Sequence, residues 1–186
     1  GTVTWNGYEI IVARTNPAGQ YGFDIVIPAD AAELFWETAM ELGIAPVACD
    51  ALETLRIEAK LPKWGHELSE EYNPLEAGLE GEVSWTKGCY TGQEVVARLF
   101  NYQRIQRRLV ALELPFNKSY EIHTPLMKDD QTAGYITSVS KLPSGETITA
   151  LASLRSAYVE VGRTLTVGEA GGTIARVTAI ALTEEP

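Results

Sequence analysis

The segment from Leu109 onward constrains the fold most, because short apolar or alternating stretches recur there between turn-forming residues. Turn sequences such as Pro143-Ser144-Gly145 separate these stretches. Five or six short strands joined by short turns are typical of a small antiparallel barrel or sandwich. The predicted strands are residues 109–114, 134–142, 146–155, 163–167 and 172–182.

The first hundred residues instead mix strand and helix signals. Residues 8–14 and 22–28 have the composition of strands, and they flank a turn-rich stretch. Three helices are predicted from capping boxes, in which a polar N-cap residue precedes a glutamate by three positions. These helices begin at Asp30, Asp50 and Thr91. A mixed first part followed by strands predicts an α+β fold with domains at residues 1–103 and 104–186.

The composition excludes several kinds of partner. A net charge of −10 and a pI near 4.7 argue against general binding to nucleic acid or to anionic membranes, since a polyanion would be repelled. No apolar run approaches the ~18 residues of a membrane span. With two histidines and with two cysteines 40 positions apart, no metal site is predicted. So few cysteines favour a reducing compartment, namely the cytoplasm, or the mitochondrial matrix in a eukaryote.

Two charged residues interrupt apolar patterns. Arg56 falls on the apolar stripe of the second predicted helix, where a buried guanidinium needs a carboxylate, phosphate or carbonyl partner. It either pairs with a local glutamate at the edge of the core or binds a ligand. Asp24 lies within the second predicted strand, and it either faces water or accepts hydrogen bonds from the N–H groups of a ligand.

The octet Lys87-Gly88-Cys89-Tyr90-Thr91-Gly92-Gln93-Glu94 places a thiol at the start of the third predicted helix. The positive end of the helix and the nearby Lys87 would both stabilise a thiolate. The alternative is a structural loop with a buried, inert thiol. From its residues alone, the octet leaves both interpretations open.

Four motifs follow one another in the order of a known family. Residues 21–25 (YGFDI) are similar to its Gly-Phe-Glu-Ile segment, and residues 54–65 (TLRIEAKLPKWG) to its TLRLEAGLPLYG segment. Residues 73–79 (NPLEAGL) match TPLEAGL, and the octet KGCYTGQE is the hallmark of one branch. The chain therefore resembles the YgfZ-like folate-binding branch of the glycine-cleavage T-protein (aminomethyltransferase) family.

The resemblance implies a fold of two parts, a ferredoxin-like α/β domain followed by a small antiparallel β-barrel. It also implies a further N-terminal segment, roughly as long as the first domain here, which holds the T-protein's catalytic aspartate. These 186 residues contain no counterpart of that segment.

The resemblance further implies that the cofactor is tetrahydrofolate or a derivative. Asp24 stands in the place of the acidic residue that binds the pterin ring, and Arg56 in the place of an arginine of the folate pocket. The family's turn that supplies an aromatic contact is different here, so Tyr21 is expected to replace it. Lys87 completes the expected cofactor-binding set.

The resemblance of the octet to that branch implies a role in the assembly or repair of iron–sulfur proteins, with Cys89 as the functional, catalytic thiol. Iron–sulfur proteins are therefore the expected partners beside the folate. An alternative is a folate-dependent aminomethyltransferase or other one-carbon transferase. A plain interaction module that retains the fold without the ligand is the third interpretation.

Overall fold

The computed structural model describes residues 1–19, 21–102, 105–169 and 171–181. A three-stranded antiparallel sheet in the order β1-β2-β3 comes first. Its strands are β1 (Thr2–Trp5), β2 (Tyr8–Thr15) and β3 (Gly22–Val26). Asn6 and Gly7, with φ of 47° and 83°, connect β1 to β2. Two consecutive positive φ angles are what a tight type I′ hairpin requires, and Asn-Gly provides them at little cost.

Three α-helices follow the sheet: α1 (Ala32–Glu41), α2 (Cys49–Glu58) and α3 (Gln93–Asn101). The three predicted capping boxes are wrong, because no N-cap side chain forms a hydrogen bond at any of these helices. Asp50 instead forms an ion pair with Lys141, far along the chain. The N-cap of α3 is Gly92, with φ of 87°, which leaves Thr91 outside the helix. Tertiary partners and backbone geometry therefore override the local capping signal.

Six strands in the second half form a closed antiparallel barrel in the order β4-β7-β6-β5-β8-β9. The predicted α+β class with a small barrel is confirmed. Gly134 lies in β6, where a Cβ atom would approach the main-chain oxygen of Ser153 to 2.1 Å, so only glycine fits between these strands. The strands are β4 (Arg107–Pro115), β5 (Pro125–Lys128), β6 (Gln131–Val139), β7 (Thr147–Arg155), β8 (Thr164–Val167) and β9 (Thr173–Ile180).

The barrel holds the main hydrophobic core, and α2 packs against its outer side. Leu112, Ile136 and Leu154 are among the barrel residues with no exposed surface. Ile57 of α2 is equally buried and packs with Leu109 and Leu151 in a second cluster. This packing sets the position of α2 relative to β6 and β7. As a result, the side chain of Arg56, next to Ile57 on α2, lies against β6.

The predicted domain boundary falls on Gln103 and Arg104, which lie outside the described residues, as does Leu182 at the end of the last predicted strand. Domains at 1–103 and 104–186 therefore stay a prediction. In the described part of the chain, no helix combines the length and apolar character that crossing a membrane requires.

Candidate functional site

A cleft of about 910 Å³ opens between α2 and the side of the barrel. Helix α2 contributes one wall, and the end of β6 with the loop after β4 contributes the other. The segment that follows α2 contributes Lys63 and His66 to the lining, and the turn between β2 and β3 contributes Pro17. The volume is in the range of small-molecule and cofactor sites.

Arg56 lies on the floor of this cleft with its side chain 10% exposed. Its Nε and Nη2 atoms donate to the carboxylate of Glu53 at 3.1 and 2.8 Å. Nη1 donates to Glu67 Oε2 at 3.2 Å and to the main-chain oxygen of Leu61. Nη2 also donates to Ser138 Oγ at 2.8 Å. These five bonds equal the number of N–H groups that a guanidinium carries.

Arg56 is held by one partner on its own helix and by another that is distant in the sequence. Glu53 precedes it by three residues, so both side chains project from the same face of α2. Ser138 belongs to β6 and is 82 residues away in the sequence. The local-glutamate interpretation of Arg56 is therefore correct, and the arginine additionally links α2 to the barrel.

Glu67 is the buried carboxylate of the cluster, with its side chain 1% exposed. Beyond its contact with Arg56, it accepts hydrogen bonds from Ser138 Oγ at 2.6 Å and from the main-chain N–H of Lys63 at 3.1 Å. A buried charge of this kind is tolerated only when it is paired and hydrogen-bonded. Arg56 is the cation among these three interactions, so the buried charge of Glu67 depends on it.

The hydrogen bonds from Arg56 lower the pKa of Glu53 from 4.5 to about 2, against the opposing effect of burial. Lys63 Nζ lies 3.2 Å from Glu53 Oε2 and lowers that pKa further. At the rim, the hydrogen bond between Lys141 and Asp50 raises the pKa of Lys141. Both carboxylates among the described lining residues, Glu53 and Asp50, are therefore already paired with cations.

Positive charge exceeds negative charge in the cleft. Among the described lining residues, Arg56, Lys63, Lys118 and Lys141 face two carboxylates, Asp50 and Glu53. The excess of two positive charges occurs in a chain whose net charge is −10. Lys118 Nζ lies 5.5 Å from the centre of the Tyr120 ring, at the exposed end of the cleft. A concave site with this charge attracts anionic small molecules.

Of the predicted site residues, Arg56 alone is among the described lining residues of the cleft. Asp24 is exposed on β3, where it accepts a hydrogen bond from Thr15 Oγ1 at 3.4 Å. Tyr21 is 86% exposed, and the Arg14 guanidinium lies 4.3 Å from the centre of its ring. Both residues belong to the hairpin whose turn reaches the cleft through Pro17.

Lys87 and Cys89 lie outside the cleft lining. Both are exposed, and Lys87 Nζ is 4.7 Å from the centre of the Tyr90 ring. Because α3 begins at Gln93 after a left-handed Gly92, Cys89 lies farther from the helix than the predicted cap at Thr91 implied. Of the two interpretations of the octet, the alternative with a buried thiol is wrong, since Cys89 is exposed.

Several residues of the cleft had no signal in the sequence. Residues 63–81 lack helix or strand periodicity, so no pattern marks His66 or the buried Glu67 that pairs with Arg56. Cys49, the first residue of α2, lines the cleft although no motif contains it. Ser138 looks like an ordinary strand residue, and its role depends on where β6 meets α2.

Two family models of one superfamily match the chain in succession. Residues 1–87 match the GCVT N-terminal domain, and residues 107–183 match the glycine cleavage T-protein C-terminal barrel domain. Cys89 falls in the segment between the two matched regions.

Curated proteins with similar sequences are named as transferases. An aminomethyltransferase of Desulfitobacterium hafniense is 34% identical over 166 residues, which is 87% of this chain and 45% of the relative. A putative chloroplastic transferase of Arabidopsis thaliana is also 34% identical over 166 residues, covering 89% of this chain and 38% of the relative. The chain therefore spans less than half the length of these relatives.

The fold also matches a solved structure, the glycine cleavage system aminomethyltransferase T from Bartonella henselae. The TM-score is 0.79 at 21% identity, and the match covers 97% of this chain and 51% of that one. With both family models matched in order and the barrel confirmed, the chain belongs to the glycine cleavage T-protein superfamily.

Proposed function

We propose that the cleft between α2 and the barrel binds a tetrahydrofolate species. The observation that carries the proposal is the cleft itself, a cavity of about 910 Å³ with an ordered polar floor and an excess of positive charge. Tetrahydrofolate matches that chemistry, because it combines a pterin ring rich in N–H groups with an anionic glutamate tail. Membership of a superfamily whose relatives are named aminomethyltransferases supports the same ligand.

In this proposal Arg56 acts by holding the floor of the cleft in place. Its five hydrogen bonds to protein groups align Glu53, Glu67 and Ser138 beneath the ligand. Asp24 and Tyr21 act from the neighbouring hairpin, Asp24 as an acceptor for pterin N–H groups and Tyr21 as an aromatic contact. Lys87 is the fourth proposed contact, and it attracts the anionic part of the folate from outside the cleft lining.

Calorimetric titration with tetrahydrofolate tests the proposal. We expect saturable binding at one site, and a Lys118→Glu variant should bind at least about fivefold more weakly, because it places a negative charge at the mouth of a site for an anion. Lys128→Glu on β5 makes the same change in net charge away from the cleft, and it should bind within about twofold of the unaltered protein. Failure of the unaltered protein to bind tetrahydrofolate would refute the proposal.

We further propose that the protein supports the assembly or repair of iron–sulfur enzymes through the thiol of Cys89. The motivation is the resemblance of KGCYTGQE to the octet of that branch, together with the exposure of Cys89 outside the cleft. An exposed thiol is accessible to a protein partner. The proposed compartment is the cytoplasm, or the mitochondrial matrix in a eukaryote.

A second candidate function is folate-dependent one-carbon transfer. The names of the aminomethyltransferase relatives favour it. Such a reaction needs a carboxylate that steers the amine and a folate held in a fixed orientation. Transfer of an aminomethyl group to tetrahydrofolate, measured as turnover, would favour this function over the accessory role.

A further inference from the structure

His66 contacts the barrel through one ring nitrogen. Its Nδ1 atom lies 3.1 Å from the main-chain oxygen of Thr137 and 3.2 Å from Ser138 Oγ. The ring is half-buried and forms part of the lining of the cleft. In a neutral imidazole one nitrogen carries a proton and the other accepts, so the neighbours of Nδ1 determine which form is present.

Both neighbours of Nδ1 are acceptors. The carbonyl oxygen of Thr137 has no hydrogen to donate. Ser138 has one hydroxyl hydrogen, which it donates to Glu67 Oε1 at 2.6 Å, while its oxygen also accepts from Arg56 Nη2 at 2.8 Å. No donor is therefore left for an unprotonated Nδ1, and the proton of the neutral ring must lie on Nδ1.

The opposite nitrogen, Nε2, then carries a lone pair. Among the described residues, none forms a hydrogen bond with Nε2. The two carboxylates among the described lining residues are already paired, Glu53 with Arg56 and Lys63, and Asp50 with Lys141. Nε2 is thus a neutral acceptor in a cleft whose charged lining residues are cations and paired carboxylates.

We propose that His66 is a ligand-positioning residue, whose Nε2 accepts a hydrogen bond from an N–H group of the molecule bound in the cleft. The proposal rests on the proposed function, since it takes the ligand to be a tetrahydrofolate species. The Arg56–Glu67–Ser138 cluster fixes the proton on Nδ1, and the fixed tautomer selects a donor group on the ligand. A ligand that offers only acceptors at this point is disfavoured because two lone pairs would face each other.

Two substitutions separate ligand positioning from a structural role. The side-chain amide of His66→Asn overlies Nδ1 and keeps the donor to Thr137, but it removes the acceptor at Nε2. The amide of His66→Gln reaches the position of Nε2 and removes the donor at Nδ1. His123→Asn is a matched control, because His123 is exposed and has φ of 64°, a conformation that asparagine tolerates.

We expect calorimetry with tetrahydrofolate to show about tenfold weaker binding for His66→Asn, because a ligand N–H loses its partner. His66→Gln should bind within about threefold of the unaltered protein although it is the less stable of the two, and His123→Asn should bind within about twofold. A purely structural role predicts the reverse order, with His66→Asn unaffected and His66→Gln weakened. That reverse order would overturn the proposal while leaving tetrahydrofolate binding by the unaltered protein intact.

The tautomer is measured directly in the ligand-free protein. In a ¹H–¹⁵N long-range correlation spectrum at a pH of about 8, above the usual titration range of imidazole, the unprotonated nitrogen of His66 should be Nε2. An unprotonated Nδ1 would overturn the proposal whatever the protein binds. If the unaltered protein bound no tetrahydrofolate, the proposed function would fail, and the ligand contact of His66 would fail with it.

Discussion

Replacement of Arg56 by alanine is expected to lower the free energy of unfolding by about 3–5 kcal/mol, measured by chemical denaturation. The substitution leaves the buried carboxylate of Glu67 without its cation and breaks the connection to Ser138. Loss of one partner of a buried pair costs more than loss of an exposed pair, because the remaining charge has no water to stabilise it.

Arg176→Ala is the matched control for this prediction. Arg176 pairs with Glu113 at 2.8 Å, but the two side chains are 57% and 39% exposed. Exposed pairs contribute about 0–1 kcal/mol, so the control should change stability little. If Arg56→Ala cost no more than Arg176→Ala, the cluster would not hold α2 against the barrel.

The same variant should alter the acid response of the protein. In the folded chain the pKa of Glu53 is lowered to about 2, chiefly by the hydrogen bonds from Arg56. Glu53 therefore contributes stability that is complete above its ordinary pKa of 4.5 and is lost as the pH falls towards 2. Without Arg56, the stability profile across that interval should be flatter.

Replacement of Cys89 by alanine is expected to reduce the activity of iron–sulfur enzymes in cells to about the level seen without the protein, if its thiol carries the accessory function. The activity of those enzymes in extracts is the measurement. Because Cys89 is exposed, the variant should fold with a free energy of unfolding within about 0.5 kcal/mol of the original.

Thr86→Ala, at an exposed residue of the same loop, is the control and should leave those activities unchanged. Enzyme activities in the Cys89→Ala strain that equal those of the Thr86→Ala strain would remove the thiol from the proposal. Tetrahydrofolate binding should survive in both variants, since neither residue lines the cleft.

The barrel could be predicted from the sequence because most of its strands have a recognisable local pattern of apolar residues. Apolar or alternating segments of nine residues, such as those of β6 and β7, have few alternatives to a sheet. Strand β5 was not predicted, because it has four residues, begins with Pro125 and has an irregular register with β6. Its place is set by its neighbours in the closed barrel.

The cleft was only partly predictable. The apolar stripe of the second predicted helix places Arg56 on a buried face, which is confirmed, and of its two interpretations the pairing with a local glutamate is confirmed. Glu67 is only 11 residues from Arg56, but it lies in a segment without helix or strand periodicity. Ser138 could not be paired with Arg56, because 82 residues separate them and their contact depends on how α2 packs on the barrel. The capping signals at Asp50 and Glu53 failed for the same reason, since both carboxylates bind cations in the cleft.

The central claim is that tetrahydrofolate occupies the cleft, and Cys49 provides a direct test of it. Cys49 is exposed and lines the cleft, whereas Cys89 is exposed but lies outside it. In a Cys89→Ala protein, Cys49 is the cysteine that remains to react with N-ethylmaleimide.

The decisive measurement is the rate of that reaction with and without saturating tetrahydrofolate. The rate at Cys89 in a Cys49→Ala protein is the comparison. The account predicts that tetrahydrofolate slows modification of Cys49 at least about tenfold, because a bound ligand covers the thiol, and leaves Cys89 unaffected. Equal rates at Cys49 in the presence and absence of tetrahydrofolate would contradict it.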